Sequence, residues 1–212
     1  MVIVIEFGCR VHEYVTRFPQ LEFPRPEVCP HCQAIQLFIG HGFYLRKALT
    51  PTQVFLVQLK RWYCKGCHHT LSLLPSFLLR FRHYLLEGIQ AVVVTRFEDG
   101  ASWHQVAQRC AVEGAPSPRT QRRWCVSFAA HAPAWLGSLL ETLAEHDAHS
   151  PLLDPLGEAA GPRDAPRALL QAALHLLAWA KTHWPEVVPY GLADRLRFLW
   201  HWGASHGLGR LI

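Results

Sequence analysis

Four cysteines form two Cys-x-x-Cys pairs, Cys29 with Cys32 and Cys64 with Cys67. Two residues between cysteines let both thiolates of a turn point at one ion, and two such pairs complete a tetrahedral shell. A closed shell of four sulfurs is typical of structural zinc rather than of a catalytic metal. The pattern therefore predicts a rigid Zn²⁺ module that serves recognition. Iron binds the same donors, so the choice between zinc and iron stays open.

Two other roles for these cysteines fit the sequence less well. Disulfides are typical of secreted proteins, and the short apolar start, residues 1–5, resembles a strand more than a signal peptide. A redox pair would begin a helix in a βαβ unit, which the pattern does not show. His31, His68 and His69 lie beside the ligands and could replace a cysteine, although four thiolates already complete the shell. Gly66 is expected to adopt a positive φ in the second turn.

The elements around the cysteines are predicted to be strands. Residues 53–63 are rich in β-branched and aromatic side chains and lead directly into the second pair. Residues 36–45 are the expected partner strand, and Thr50-Pro51 breaks the chain between them. The cysteines and strands together predict a zinc ribbon with an extended hairpin.

Composition and charge restrict the classes of function. Half of the 212 residues are hydrophobic, which allows a substantial core. No apolar run approaches the roughly 20 residues that span a bilayer, so a cytoplasmic, nucleoid-associated protein is expected. Residues 1–131 carry 15 Lys/Arg and 8 Asp/Glu, whereas residues 132–212 carry 6 and 8. The basic excess of the first part favours a polyanionic partner.

A pair of helices is predicted after the ribbon. An apolar helix over 85–97 ends before Gly100, and Ser102 with Gln105 forms a capping box for the next helix. Ser117 and Pro118 then begin a helix that extends to Ala130. A short helix, a turn and a second helix with a basic N-terminal half are typical of a helix-turn-helix.

The second helix of this pair carries the candidate contacts with double-stranded DNA. Arginine can bind guanine and glutamine can bind adenine in the major groove, while other contacts reach phosphates. The predicted DNA-contacting residues are Arg119, Gln121, Arg122 and Arg123. Trp103 and Trp124 are expected in the core, and Cys110 and Cys125 as small buried side chains within helices. The alternative is an ordinary helical pair with a solvated arginine face.

The C-terminal part is predicted to be helical. A loop over 147–166 precedes helices over 168–179 and 191–202, which pack on the helix-turn-helix or form a homodimer interface. The fold class is therefore α+β. Three parts are expected: the ribbon, the helix-turn-helix, and a linker with C-terminal helices, at residues 1–77, 78–135 and 136–212.

The combination resembles the N-terminal region of bacterial insertion-sequence transposases, where a four-cysteine ribbon precedes a helix-turn-helix. Residues 61–75 resemble the second cysteine pair of that group. The chain also resembles bacterial proteins of the DUF6431 type, including their C-terminal Leu199-Trp200 and the segment 207–211. An active transposase would need a DDE nuclease domain, and the 77 residues after residue 135 are too few for one. The resemblance thus implies DNA binding without cleavage.

Three functions follow as hypotheses. The first is a non-enzymatic, zinc-containing DNA-binding protein associated with a mobile element. The second is a zinc-ribbon adaptor that binds a protein of the transposition machinery through its tryptophan-rich C terminus. The third is the DNA-binding part of a split DDE transposase. An independent hydrolase is not expected, because HExxH and P-loop motifs are missing from the sequence.

Overall fold

The computed structural model describes residues 1–50, 53–80, 82–110, 116–150, 153–154, 164–183, 194–209 and 211–212. The chain divides into two compact units, Met1–Leu85 (unit 1) and Leu86–Ile212 (unit 2). Unit 1 holds a four-stranded sheet, and unit 2 is helical wherever regular structure is described. The predicted α+β class is confirmed.

Unit 1 is built on one sheet with the strand order β1-β4-β3-β2. Its strands are β1 (Val2–Ile5), β2 (Phe38–Leu49), β3 (Val54–Cys64) and β4 (Thr70–Pro75). The predicted hairpin is confirmed, since β2 and β3 pair antiparallel from Phe38 opposite Cys64 to Leu49 opposite Val54. Strand β4 returns antiparallel to β3, and β1 pairs in parallel with β4. This arrangement places the end of β3, and with it Cys64, beside the start of β2.

The two ends of the sheet have separate small cores. Val57 and Leu59 of β3 are fully buried beneath the helix α1 (Val11–Arg17), whose Tyr14 hydroxyl donates to the carbonyl of Gln58 at 2.9 Å. A 3₁₀ turn over Phe18–Gln20 follows α1. The second core is smaller and consists of the buried residues Cys29, Phe38, Cys64 and Leu71. Two of its four members are candidate metal ligands, so the packing there depends on the cysteines.

Unit 2 contains five helices among the described residues. They are α2 (Leu86–Phe97), α3 (Trp103–Arg109), α4 (Pro118–His146), α5 (Ala165–His183) and α6 (Arg195–Ser205). Gly100 follows α2 with a φ of 66°, in the left-handed region that suits glycine at a helix end. None of these helices, within the described part of the chain, is long and apolar enough to cross a bilayer.

Helix α4 is much longer than the predicted 117–130. It continues through Pro133 to His146, so the expected segment boundary at residue 135 falls inside a helix. The buried side chains continue past the proline at helical spacing, at Phe128, Ala132, Trp135, Leu136, Leu139 and Leu143. Proline in a helix interior costs about 3 kcal/mol, which a continuous buried stripe of this length offsets.

The C-terminal helices only partly coincide with their predicted ranges. Helix α5 extends the predicted 168–179 at both ends, and its buried alanines and leucines pack against α4. Helix α6 begins at Arg195, while residues 191–193 of the predicted 191–202 lie outside the described residues. Most of the predicted loop over 147–166 also lies outside them.

Candidate metal centre and nucleic-acid interface

The four cysteines of unit 1 converge on one point. The sulfur of Cys29 lies 3.7 Å from that of Cys67, and the sulfur of Cys32 lies 3.8 Å from that of Cys64. Sulfurs about 2.3 Å from one ion at tetrahedral angles are about 3.8 Å apart. These distances also exclude disulfides between the same partners, since bonded sulfurs are about 2.05 Å apart. The donor set and spacing therefore fit a four-coordinate metal ion.

The two cysteine turns have the same backbone hydrogen bonds. We call residues 29–34 knuckle 1 and residues 64–69 knuckle 2. In knuckle 1, the amide of Gln33 donates to Cys29 and the amide of Cys29 donates to Ala34, at 2.8 and 2.9 Å. In knuckle 2, the equivalent bonds from His68 to Cys64 and from Cys64 to His69 are 2.9 and 3.0 Å. Gln33 and His68 both have left-handed backbones, with φ of 59° and 60°.

The expected positive φ at Gly66 is wrong. Among the described residues, the left-handed position of knuckle 2 is His68, which follows the second cysteine. Gly66 instead lies at a close approach between the knuckles, because an added Cβ would lie 3.2 Å from the Cβ of Ala34 and 3.5 Å from the sulfur of Cys32. A side chain at position 66 would therefore require Ala34 to move by a few tenths of an ångström.

The thiols of the cluster have widely separated pKa values. Hydrogen bonding by the backbone of Cys32 lowers the pKa of Cys29 to about 6, whereas desolvation raises the pKa of Cys67 to about 12. Without an ion, at least part of the cluster is protonated at neutral pH. A bound divalent ion requires thiolates and displaces these protons.

The three histidines next to the cysteines occupy distinct positions. The rings of His31 and His69 stack with centroids 4.0 Å apart, and Nδ1 of His69 lies 2.8 Å from the carbonyl oxygen of Cys67. Nδ1 of His68 instead pairs with the hydroxyl of Tyr63 at 2.6 Å. His31 and His69, together with Cys67, form a second group capable of holding a metal.

In unit 2, the predicted helix starts at residues 102 and 117 are confirmed. Ser102 forms the capping box of α3, since its Oγ accepts from the amide of Gln105 and its own amide donates to Oε1 of Gln105. Ser117 caps α4 by accepting from the amide of Thr120, and Pro118 occupies the first turn. The connection over 111–115 lies outside the described residues.

The first turns of α4 have one buried and one exposed face. Gln121, Trp124, Cys125 and Phe128 form the buried face. Arg119, Arg122 and Arg123 are exposed and lie at helical spacing with Val126, whose side chain is 65% exposed. Sequence analysis missed Val126, although its position three and four residues after the paired arginines places it on their face.

Gln121 differs from the other three candidate DNA contacts. Its side chain is only 2% exposed, and its Nε2 donates to the carbonyl of Pro116 at 3.1 Å. It therefore ties the start of α4 to the preceding residue rather than joining the arginine face. Contact with DNA stays a prediction for all four residues.

Two of the four residues predicted to be buried in unit 2 are confirmed. Trp124 and Cys125 are buried, whereas Trp103 is partly exposed, with the guanidinium carbons of Arg96 and Arg122 at 5.0 and 5.3 Å from ring centroids of its indole. Cys110 is partly exposed and caps the end of α3, so the expectation of a buried cysteine within a helix is wrong at this position.

Comparison with known proteins identifies one related family. Residues 29–124 match the domain of unknown function DUF6431, as the sequence resemblance predicts. The matched range begins at the first candidate metal ligand and ends at Trp124, so it includes every candidate metal and DNA contact. Neither the curated proteins nor the solved structures provide a match.

Proposed function

We propose that this protein is a zinc-containing, non-enzymatic DNA-binding protein, related to transposases and associated with a mobile element. In this proposal, α3 and α4 act as a helix-turn-helix and the first turns of α4 enter the major groove. The four cysteines hold a structural Zn²⁺ that stabilises unit 1 as a zinc ribbon. No enzymatic role is proposed for either unit.

The face formed by Arg119, Arg122, Arg123 and Val126 is the single observation that carries this proposal. Arginine is the side chain that most often binds guanine, and an exposed apolar side chain can contact the methyl group of thymine. The exposed apolar side chain of Val126 gains no burial in water. In the major groove it would be buried against the methyl group of a thymine.

Charge supports the same partner class. Residues 28–86 contain seven Lys/Arg and no Asp/Glu, so this stretch has a strong excess of cations. Contacts between cationic side chains and phosphates supply affinity that is independent of sequence and falls steeply with salt. We therefore propose that unit 2 provides sequence specificity and that unit 1 adds electrostatic affinity.

Selection from sheared genomic DNA, followed by binding titrations on the enriched duplex, tests the proposal. Arg122→Ala is expected to weaken binding by at least 10-fold, because one good base contact contributes about 1–3 kcal/mol. Arg167→Ala is the matched control, since Arg167 is an exposed arginine of the same unit that lies on α5 and does not belong to the α4 face. Equal losses of affinity in the two variants would show that binding depends only on nonspecific attraction between charges, and would overturn the helix-turn-helix assignment.

A protein-binding adaptor is the second candidate function. Its support is the exposed apolar face of the β2–β3 hairpin, where Leu45 is 61% and Leu56 is 56% exposed. Large exposed apolar patches often mark protein interfaces. If the wild-type protein enriches no DNA sequence, and Leu45→Gln with Leu56→Gln abolishes binding to a transposition protein, the adaptor function replaces the first proposal.

A further inference from the structure

Two histidines lie beside the cysteine cluster but are not needed to complete its shell of four sulfurs. His31 belongs to knuckle 1 and His69 to knuckle 2, and both side chains are exposed. Their rings stack at 4.0 Å with an interplanar angle of 25°, so these exposed rings must rotate out of the stack before their in-plane lone pairs can meet at one ion. One ligand atom from each imidazole and the sulfur of Cys67 all lie within 4.8 Å of one another.

The hydrogen bond of His69 determines which nitrogen can bind a metal. A carbonyl oxygen only accepts, so Nδ1 of His69 must donate its proton to the carbonyl of Cys67 at 2.8 Å. In the neutral ring, Nε2 then carries a free lone pair. Metal-binding histidines typically have this arrangement, with one nitrogen donating to a carbonyl that orients the other toward the ion.

The charge of the loaded cysteine site favours a second cation nearby. A divalent ion with four thiolates carries a net charge of −2. Cys29 and Cys64 are buried, Cys32 is exposed and Cys67 is partly exposed, and the sulfur of Cys67 lies within 4.8 Å of a ligand atom of each histidine. The sulfur of Cys67 keeps a lone pair after binding one ion and can therefore bridge to a second.

We infer that His31, His69 and Cys67 form a second metal site, bridged to the four-cysteine site through the sulfur of Cys67. Two imidazole nitrogens and a thiolate select a borderline or soft cation of the zinc type rather than Mg²⁺ or Ca²⁺. Three protein donors leave one position of a tetrahedral shell open to water, so this second ion binds more weakly than the first. The inference requires the loaded four-cysteine site but is independent of DNA binding.

Metal stoichiometry of the full, untagged chain tests the inference. After removal of metal and titration with Zn²⁺, the wild-type protein is expected to bind two ions, the second more weakly. The double substitution His31→Ala/His69→Ala is expected to lose the second ion and keep the first. Retention of the first ion shows, in the same sample, that the variant folds.

His68→Asn is the matched control, because it removes the neighbouring imidazole while asparagine tolerates the left-handed backbone at this position. His68 pairs with Tyr63 and does not belong to the second group, so the control should still bind two ions. A single ion in the wild-type protein at a large excess of Zn²⁺, or two ions in the double variant, overturns the inference. A DNA-binding result of either kind leaves it unaffected.

Discussion

Unit 1 and unit 2 differ in how many large apolar side chains they expose. Among the described residues, eleven large hydrophobic side chains are exposed in unit 1, including Ile35 at 67%, whereas Val126 is the single one in unit 2. The described helices of unit 2 bury many leucine, alanine and tryptophan side chains. Unit 1 has 85 residues and two separate clusters, one of ten buried residues and one of four that is built around cysteines. Domains with little apolar burial usually need another source of stability, such as a metal.

Metal removal should produce the largest difference between the stabilities of the two units. Binding of structural zinc contributes roughly 10–16 kcal/mol in small zinc domains, which is comparable to the whole stability of an ordinary domain. We expect chelation, or Cys64→Ser, to unfold the cysteine end of unit 1 while unit 2 stays folded. Hydrogen exchange resolved by peptide measures both units in one experiment.

Cys110→Ser is the control for this comparison. Cys110 lies in unit 2, outside the four-cysteine group, so its substitution should leave metal content and the exchange of unit 1 unchanged. If chelation leaves amide protection in residues 29–75 intact, the contrast between a metal-dependent and a core-dependent unit is wrong.

Gly203, at the contact between α6 and α4, tests how strongly unit 2 depends on the packing of its helices. A Cβ on Gly203 of α6 would lie 2.0 Å from a ring carbon of Trp135 on α4. We expect Gly203→Ala to destabilise unit 2 by about 3 kcal/mol, because overpacking forces helices or side chains to move. Thermal unfolding, with zinc present so that unit 1 stays folded, measures the change.

Gly137→Ala provides the opposite result on the same helix pair. A Cβ on Gly137 of α4 meets nothing within 4 Å, so the substitution should stabilise the helix by up to about 1 kcal/mol. Destabilisation by both alanines would indicate a general intolerance of unit 2 to change rather than a specific contact with Trp135.

Sequence patterns predicted the structure correctly where it is determined by interactions between residues that are close in the sequence. The spacing within each cysteine pair and the caps at Ser102 and Ser117 depend on residues a few positions apart, and the β2–β3 hairpin joins two strands that are adjacent in the chain. The length of α4 depends on tertiary packing, since Trp135 and Leu136 are buried and continue the stripe beyond Pro133. No local rule contains that information.

At the candidate sites too, the features that sequence patterns did not predict depend on contacts formed only in the folded structure. Gln121 has the right chemistry to contact adenine, but its helical phase and the nearby carbonyl of Pro116 place it in the buried face. The role of Gly66 depends on Ala34 from the other knuckle, which the sequence does not bring near. The stacking of His31 on His69 likewise requires both knuckles to be folded.

The smallest expected effect concerns the left-handed residues of unit 1. A non-glycine residue with φ near +60° costs about 1 kcal/mol, so Gln33→Gly should stabilise the zinc-loaded unit by roughly that amount. His68→Gly should gain less, because it also loses the bond with Tyr63. Denaturant midpoints at constant excess zinc measure the stability change of both variants.

Gln58→Gly is the control, since Gln58 lies within strand β3 and glycine there should destabilise unit 1 by about 0.5–1 kcal/mol. Glycine would thus stabilise knuckle 1, where the backbone is left-handed, although glycine weakens the helices of unit 2, as the Gly137→Ala comparison tests. Equal destabilisation by glycine at Gln33 and Gln58 would contradict the left-handed backbone assigned to knuckle 1.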